Sequence, residues 1–290
     1  MQVKKAIIPC AGFGTRFLPV TKVLPKELLP IIDVPALSHI VKEAADSGIE
    51  EVLIIISPQK HYIKKLFEEN RVLNDFLQSN GKTQEYKIAN LDYGVKVRFA
   101  VQRKMNGNGM AVYIGREFVG DEAFAILFGD DVMYTGDGVP VTKQLIDSYQ
   151  ATGGHNIIGC QQMSEDVARR CGVMIDGKRL APNITEVKGI VEKPKGELPG
   201  RLASLGRFVV NAEIFDAIKS CKKGKDGEVY LTDAFNVLAA NGKNVSACEF
   251  EARRYDIGNK EGYLEATVEY ALRDEKLKDE FLRYLKTLNI

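Results

Sequence analysis

The sequence lacks most of the features that announce a function quickly. It has no apolar run approaching a membrane span; the stretch Val52 to Ile56 covers only five residues. The opening MQVKKAIIPCAG carries too short an apolar run for a signal peptide. Neither sign of charge is in excess: 40 basic and 39 acidic side chains give a formal net charge of +1. A dedicated nucleic-acid binder shows a clear basic surplus. The five cysteines, at 10, 160, 171, 221 and 248, form no CxxC pair and no metal-ligand spacing, so in a chain this long they read as reduced thiols. His39, His61 and His155 are scattered, and no Ser-His-Asp or Cys-His arrangement accompanies them. These absences point to a cytoplasmic protein with no membrane or nucleic-acid partner and no protein nucleophile.

What is present is concentrated in residues 12–27, GFGTRFLPVTKVLPKE, which follow a short apolar strand (Ala6, Ile7, Ile8) ending at Pro9. A strand running into a glycine loop suggests phosphate, because glycine lets backbone N–H groups approach an anion closely. The loop lacks the Gly-Lys-Ser/Thr ending of a P-loop and the third glycine of a dinucleotide fingerprint. Prolines at 19, 25, 30 and 35 rule out a long helix directly after it. Much of the countercharge must then come from side chains, and Arg16, Lys22 and Lys26 are the cations at hand. Asp33 has the spacing of a ribose contact in a redox dinucleotide site, but the same prolines remove the helix such a site needs.

With 290 residues, 45% hydrophobic, the chain can bury a sizeable core. Strands are expected at 4–9, 51–57, 95–101 and 123–129, their continuous hydrophobicity suiting a sheet covered on both faces. Residues 36–46 place Leu37, Ile40, Val41, Ala44 and Ala45 on one helical face. Residues 60–78 behave similarly. The order predicts a doubly wound α/β sheet. The second half is more mixed, with strands expected at 157–162, 172–176, 184–193 and 205–211, and helices at 211–220 and 231–241. A polar helix is expected over 274–288. Its stripe of Leu277, Phe281, Leu285 and Leu288 would dock on its own domain or form a subunit contact.

Other candidates lie outside this loop, most of them after predicted strands. Asp130 and Asp131 follow AFAILF, where carboxylates suit a hard cation such as Mg²⁺ or simply start a turn. Asp256, in Tyr-Asp-Ile-Gly, is a second carboxylate that could equally cap a helix. Gln102, with Gly107 and Gly109, could read a flat base or form an ordinary loop. Glu192-Lys193-Pro194 could hold a sugar hydroxyl and a phosphate or be a solvated ion pair.

Taken together, these segments resemble the sugar-nucleotide pyrophosphorylases, and most closely the bacterial UTP–glucose-1-phosphate uridylyltransferases. The resemblance runs from residue 4 to about 270. Its most specific part is GTRFLPVTKVLPKELLP at 14–30. Thymidylyltransferase relatives end this loop in Ser-Lys-Gln and ADP-glucose enzymes carry an Arg-Ala-Lys-Pro pattern, so Glu27 favours the uridylyl branch. Further matches follow in family order: Gln102 with Gly107 and Gly109, Asp130, Gly172-Val173, Glu192-Lys193-Pro194, Gly206-Arg207, Leu231-Thr232-Asp233 and Asp256-Ile257-Gly258. Gly129 stands where many uridylyltransferases have proline, and Cys10 and Phe13 replace commoner residues.

The resemblance implies a Rossmann-like doubly wound mixed sheet flanked by helices in one nucleotidyltransferase domain, 1–290. Its nucleotide part would span about 1–135, its sugar part about 136–260 and its C-terminal helices about 261–290. It implies UTP and glucose 1-phosphate as substrates, Mg²⁺ as cofactor, and a homo-oligomer, dimer or tetramer. The implied catalytic residues are Arg16, Lys26 and Lys193. The implied nucleotide-binding residues are Ala11, Gly12, Gly14, Thr15, Glu27, Gln102 and Gly107. Gly172, Glu192 and Gly206 would face the sugar. Asp130 and Asp256 would hold the metal, with Asp131 secondary. Runner-up functions are a thymidylyltransferase, another hexose-1-phosphate nucleotidyltransferase, or a catalytically silent nucleotide-sugar-binding subunit.

Overall fold

The structure, a computed structural model, describes residues 2–224 and 227–288. Its centre is a nine-stranded mixed sheet. From one edge, the order is Lys96–Val101, Glu51–Ile56, Lys5–Pro9, Phe124–Leu127, Leu202–Val210, Asn156–Gln162, Val245–Glu249, Ile184–Glu192 and Gly172–Ala181. The first four run parallel. Leu202–Val210 enters antiparallel between Phe124–Leu127 and Asn156–Gln162 and makes the sheet mixed. The Rossmann-like expectation for the sheet is met.

Residues alternate between two cores. Ala6, Ile8, Val52, Ile54 and Ile56 face one side. Ile7, Leu53, Ile55, Phe124 and Ile126 face the other. Burial on both faces explains why these strands read as unbroken apolar runs. The helix Ala36–Asp46 covers the first side with Leu37, Ile40, Val41 and Ala44. The helices Ile214–Ser220 and Leu231–Ala240 cover the second, where Phe124 stacks on Phe215 and Phe208 on Phe235.

Several elements differ from the sequence reading. Residues 60–78 are not one helix. A 3₁₀ run, Pro58–Leu66, stops before Asn70, whose side chain caps a separate helix, Arg71–Ser79, by accepting from the Leu73 amide. The apolar residues on either side of this break had merged into one pattern. The helices Thr83–Ala89 and Val141–Ala151 and the strands Val245–Glu249 and Arg253–Asp256 were not among the expected elements, and Lys260–Arg273 falls in the C-terminal helices that the resemblance implied. The last helix is shorter than expected, Lys278–Thr287, and none of its residues is buried. Its stripe therefore does not dock fully: Leu277 and Leu288 remain 39% exposed. No helix among the described residues is long and apolar enough to cross a membrane.

One polar cluster crosses the first core. Arg207 is fully buried and binds Glu43, with Nη2 donating to Oε2 at 2.7 Å and Nε to Oε1 at 3.0 Å. The same carboxylate accepts from the amide and hydroxyl of Thr142, at the start of Val141–Ala151. Glu43→Ala leaves the guanidinium buried and unpaired. Urea unfolding should show a loss of about 3–5 kcal/mol; a change below about 1 kcal/mol would show that water replaces the carboxylate.

His39 lies against Tyr270, with ring centroids 5.0 Å apart, and its Nε2 is buried without a partner. Burial lowers its pKa to about 4, only partly opposed by Asp33. The unfolded value is about 6.5, so the unfolded chain takes up the proton first. The stability contributed by neutral His39 is present above about 6.5 and is lost as pH falls towards 4. In His39→Phe, which keeps the ring contact, that part of the acid-induced decline should be missing, so it should appear as a pH-dependent difference between the two melting-temperature curves.

Candidate active site

The parallel strands turn outward in opposite directions from Lys5–Pro9 and Phe124–Leu127, which makes the space beyond their ends the switch point where ligands gather in such sheets. A cavity of about 420 Å³ lies there. The glycine loop leaves Pro9 and folds as three short 3₁₀ turns, Thr15–Phe17, Val20–Lys22 and Lys26–Leu28. No long helix follows, as the prolines require. The loop thus brings side chains to the cavity.

The carboxylates arrive by a second route. Asp131–Tyr134 pairs antiparallel with Arg253–Asp256, setting Asp131 opposite Asp256, and the Ile257 amide donates to the Asp130 carbonyl at 2.9 Å. Asp130 and Asp256 converge: a Cβ built on Gly258 would stand 2.7 Å from Asp130 Oδ2 and 2.9 Å from Asp256 Oδ1. The ammonium of Lys26 donates to Asp130. Burial alone would pull Lys26 down, but Asp130 and Glu27 outweigh it and leave its pKa raised. Burial would push Asp130 up, but Lys26 holds it below its ordinary value. Asp131 takes another position. Arg254 Nε donates to its Oδ1 at 2.7 Å. Burial raises it to about 6, with Arg254 opposing and Asp130 and Asp256 adding to the rise. Arg254 also reaches Asp256 Oδ2, at 3.8 Å, and Asp130, Asp131 and Asp256 all line the cavity. Among the described residues no group of three or more His, Cys, Asp or Glu side chains is set to hold a metal.

On the far wall, Thr232 donates to Glu192 Oε2 at 3.1 Å. Lys193 has φ 46°, a left-handed conformation rare outside glycine and asparagine. Such strain collects at functional sites. Its amide donates to the Cys171 carbonyl, and its ammonium lies 4.9 Å from the centre of the Tyr230 ring.

Of the residues expected from sequence, Ala11, Gly12, Arg16, Lys26, Glu27, Gly107, Asp130, Gly172, Glu192, Lys193, Gly206 and Asp256 line this one cavity. Gly14, Thr15 and Gln102 do not. The Gln102 amide instead braces its own loop, donating to Asn106 Oδ1 and the Gly107 carbonyl. The Glu27 carboxylate faces Lys60 rather than the open cavity. Two glycines have reasons other than ligand approach. A Cβ on Gly107, at φ 104°, would lie 2.2 Å from the Val229 carbonyl oxygen. One on Gly206, at φ 65°, would lie 2.2 Å from Asp131 Oδ2. Gly12 meets nothing within 4 Å of such a Cβ, so its backbone is open to a ligand. Arg170, Tyr230 and Arg254 also line the cavity and were missed. Arg254 could have been found from its place two residues before Asp256, on the same face of a strand.

The departures Cys10 and Gly129 prove to be neighbours. A Cβ on Gly129 would stand 2.5 Å from Cys10 Sγ, so the thiol fills space that a larger residue at 129 would need.

The family model described as nucleotidyl transferase matches residues 5–273. The chain belongs to the nucleotidyl transferase family. This nucleotidyl transferase is 42% identical to the UTP–glucose-1-phosphate uridylyltransferase 2 of Staphylococcus saprophyticus, over 100% of this chain and 99% of the other. It is 41% identical to the UTP–glucose-1-phosphate uridylyltransferase of Staphylococcus haemolyticus, over 99% of each chain. Among solved structures, the UTP-bound UGPase from Acinetobacter baumannii superposes with a TM-score of 0.91 at 29% identity, covering 99% of this chain and 100% of the other. A UDP-glucose pyrophosphorylase complexed with UDP-glucose gives 0.83 at 32% identity, covering 94% and 100%.

Gly107→Ala in this nucleotidyl transferase should lower stability by about 1–3 kcal/mol through strain and the Val229 collision, whereas Gly12→Ala should leave it within about 0.5 kcal/mol. Calorimetric melting of both variants checks this contrast; equal losses would refute it.

Proposed function

We propose that this nucleotidyl transferase is a uridylyltransferase that joins UTP and glucose 1-phosphate into UDP-glucose and pyrophosphate. The observation that carries this reading is full-length identity above 40% to uridylyltransferases of that specificity, together with one cavity holding Arg16, Lys26, Lys193, Asp130 and Asp256. The nucleotide part, about 1–135, and the sugar part, about 136–260, meet in that cavity. The five free cysteines fit the reducing cytoplasm. The exposed stripe of the last helix is compatible with homo-oligomeric assembly.

The sugar phosphate oxygen attacks the α-phosphorus of UTP in line. A new P–O bond forms as the bond to the bridging oxygen of the leaving pyrophosphate breaks. The nucleophile is already ionised at neutral pH, so no protein base is needed. The protein's task is to align two anions and neutralise them. Arg16 and Lys26 hold the triphosphate. The Arg16 guanidinium has no hydrogen-bond or ion-pair partner among the described residues, so it is available to developing charge. Lys193 takes the sugar phosphate and Glu192 the sugar hydroxyls, beside Gly172. Ala11, Gly12 and Gly107 receive the uridine end, with Glu27 and Gln102 behind them. Asp130 and Asp256 would hold Mg²⁺. When bound, such an ion would neutralise phosphate charge, and carboxylate oxygens are the donors that suit it.

Pyrophosphate release measured with UTP, dTTP and several sugar 1-phosphates tests the reading. Preference for UTP with glucose 1-phosphate is expected. Preference for dTTP or another sugar moves the protein to a sister activity, and inactivity with every pair overturns the enzyme reading. Arg16→Ala should lower kcat by roughly 10²-fold or more; an unchanged kcat with a raised KM would place Arg16 in ground-state binding.

A further inference from the structure

Lys60 is a buried cation that the mechanism above does not use. It lies in the 3₁₀ run Pro58–Leu66 and is 6% exposed. An ammonium has three N–H donors, and here each has an acceptor: the Cys10 carbonyl at 2.9 Å, Glu27 Oε1 at 2.8 Å and Glu27 Oε2 at 2.7 Å. Glu27 is itself 1% exposed. Burying a charge is costly unless it is paired and hydrogen-bonded, and this pair satisfies both conditions.

The position of these acceptors gives the pair its meaning. Cys10 is the last residue before Ala11 and Gly12, and Glu27 is the first after Lys26. One ammonium therefore joins both ends of residues 11–26, the segment that carries Arg16 and Lys26. That segment has little hold of its own. Its turns are short, and Leu18, Val20 and Val23 are 54%, 49% and 80% exposed. Its other anchors are the ion pair of Lys26 with Asp130 at its far end, the Phe17 ring against Tyr263 and an internal bond from Thr21 to the Gly14 carbonyl.

We propose that Lys60 is a positioning residue for the nucleotide subsite. It acts through Glu27 and the Cys10 carbonyl to hold residues 11–26 at the spacing a nucleoside triphosphate requires. Glu27 and Lys60 form one unit, so an amide at 27 suits only a chain in which Lys60 has also lost its charge. This inference rests on the uridylyltransferase reading for its kinetic arm and on geometry alone for its structural arm.

The test compares wild type, Lys60→Met, Glu27→Gln and the double variant. In Lys60→Met, KM for UTP should rise about tenfold or more, since small misplacements of aligning groups are costly, while KM for glucose 1-phosphate stays within about threefold. Trypsin should cut faster after the exposed Arg16 and Lys22 than in wild type. An unpaired buried carboxylate threatens the fold of Lys60→Met. The double variant buries no charge, should fold, and should show the same selective rise in KM for UTP and the same faster cleavage. Both single variants should fall further in kcat/KM for UTP than a simple partition of the double variant's loss allows. An unchanged KM for UTP with unchanged cleavage in the folded double variant overturns the proposal, as does an equal rise in both KM values. If wild type itself does not turn over UTP, the function fails instead, and the cleavage comparison still judges Lys60.

Discussion

The carboxylate of Glu43 is the point on which the site's framework depends. It accepts from Arg207 on the strand Leu202–Val210 and from Thr142 at the start of another helix. Arg207 in turn donates to the Asp131 carbonyl at 2.7 Å, so the cluster reaches the turn that carries Asp130. Apolar contacts could hold the same layers together with fewer constraints. A charged pair with several directional partners tolerates fewer arrangements, because a displaced partner leaves a buried charge unsatisfied. The distance between the sheet and the aspartate turn is thereby tied to the register of the helix Ala36–Asp46.

Pairing of charges also organises the cavity. Lys26 meets Asp130, Arg254 meets Asp131, and Lys60 meets Glu27. The cavity therefore does not present a bare patch of cations. Its groups are pre-arranged against one another, at low reorganisation cost when phosphate arrives. This agrees with the whole chain, whose charges nearly cancel: the cavity's cations act locally, with no long-range basic field behind them.

Much of this was legible in sequence, for identifiable reasons. Lys5–Pro9 and Glu51–Ile56 are buried on both faces, so their apolar runs were unambiguous. The loop prolines correctly excluded a following helix. Asp130 and Glu192 stood out because strand ends point to ligand positions in this architecture, and Asp256 because Tyr-Asp-Ile-Gly fell in the family order. Lys60 was not, since a lysine in SPQKHYIKK looks like a solvated face, and only the fold turns it inward. At Gly107 and Gly206, sequence marks a need for glycine but not whether a substrate or the protein's own backbone and side chains create it. The break at Phe67–Asn70 was hidden because apolar residues on both sides continued one rhythm.

The ribbon between Asp131–Tyr134 and Arg253–Asp256 has a consequence for how the molecule comes into being. It joins residues 123 positions apart, as in the contact between Arg254 and Asp131. A chain emerging from the ribosome exposes its glycine loop and first carboxylate long before the second carboxylate and the guanidinium that restrains Asp131 have been made. Loop closure over such a separation comes late in folding. Until those residues are made, the growing chain carries its glycine loop beside an incomplete cavity, and the closing of the ribbon completes it.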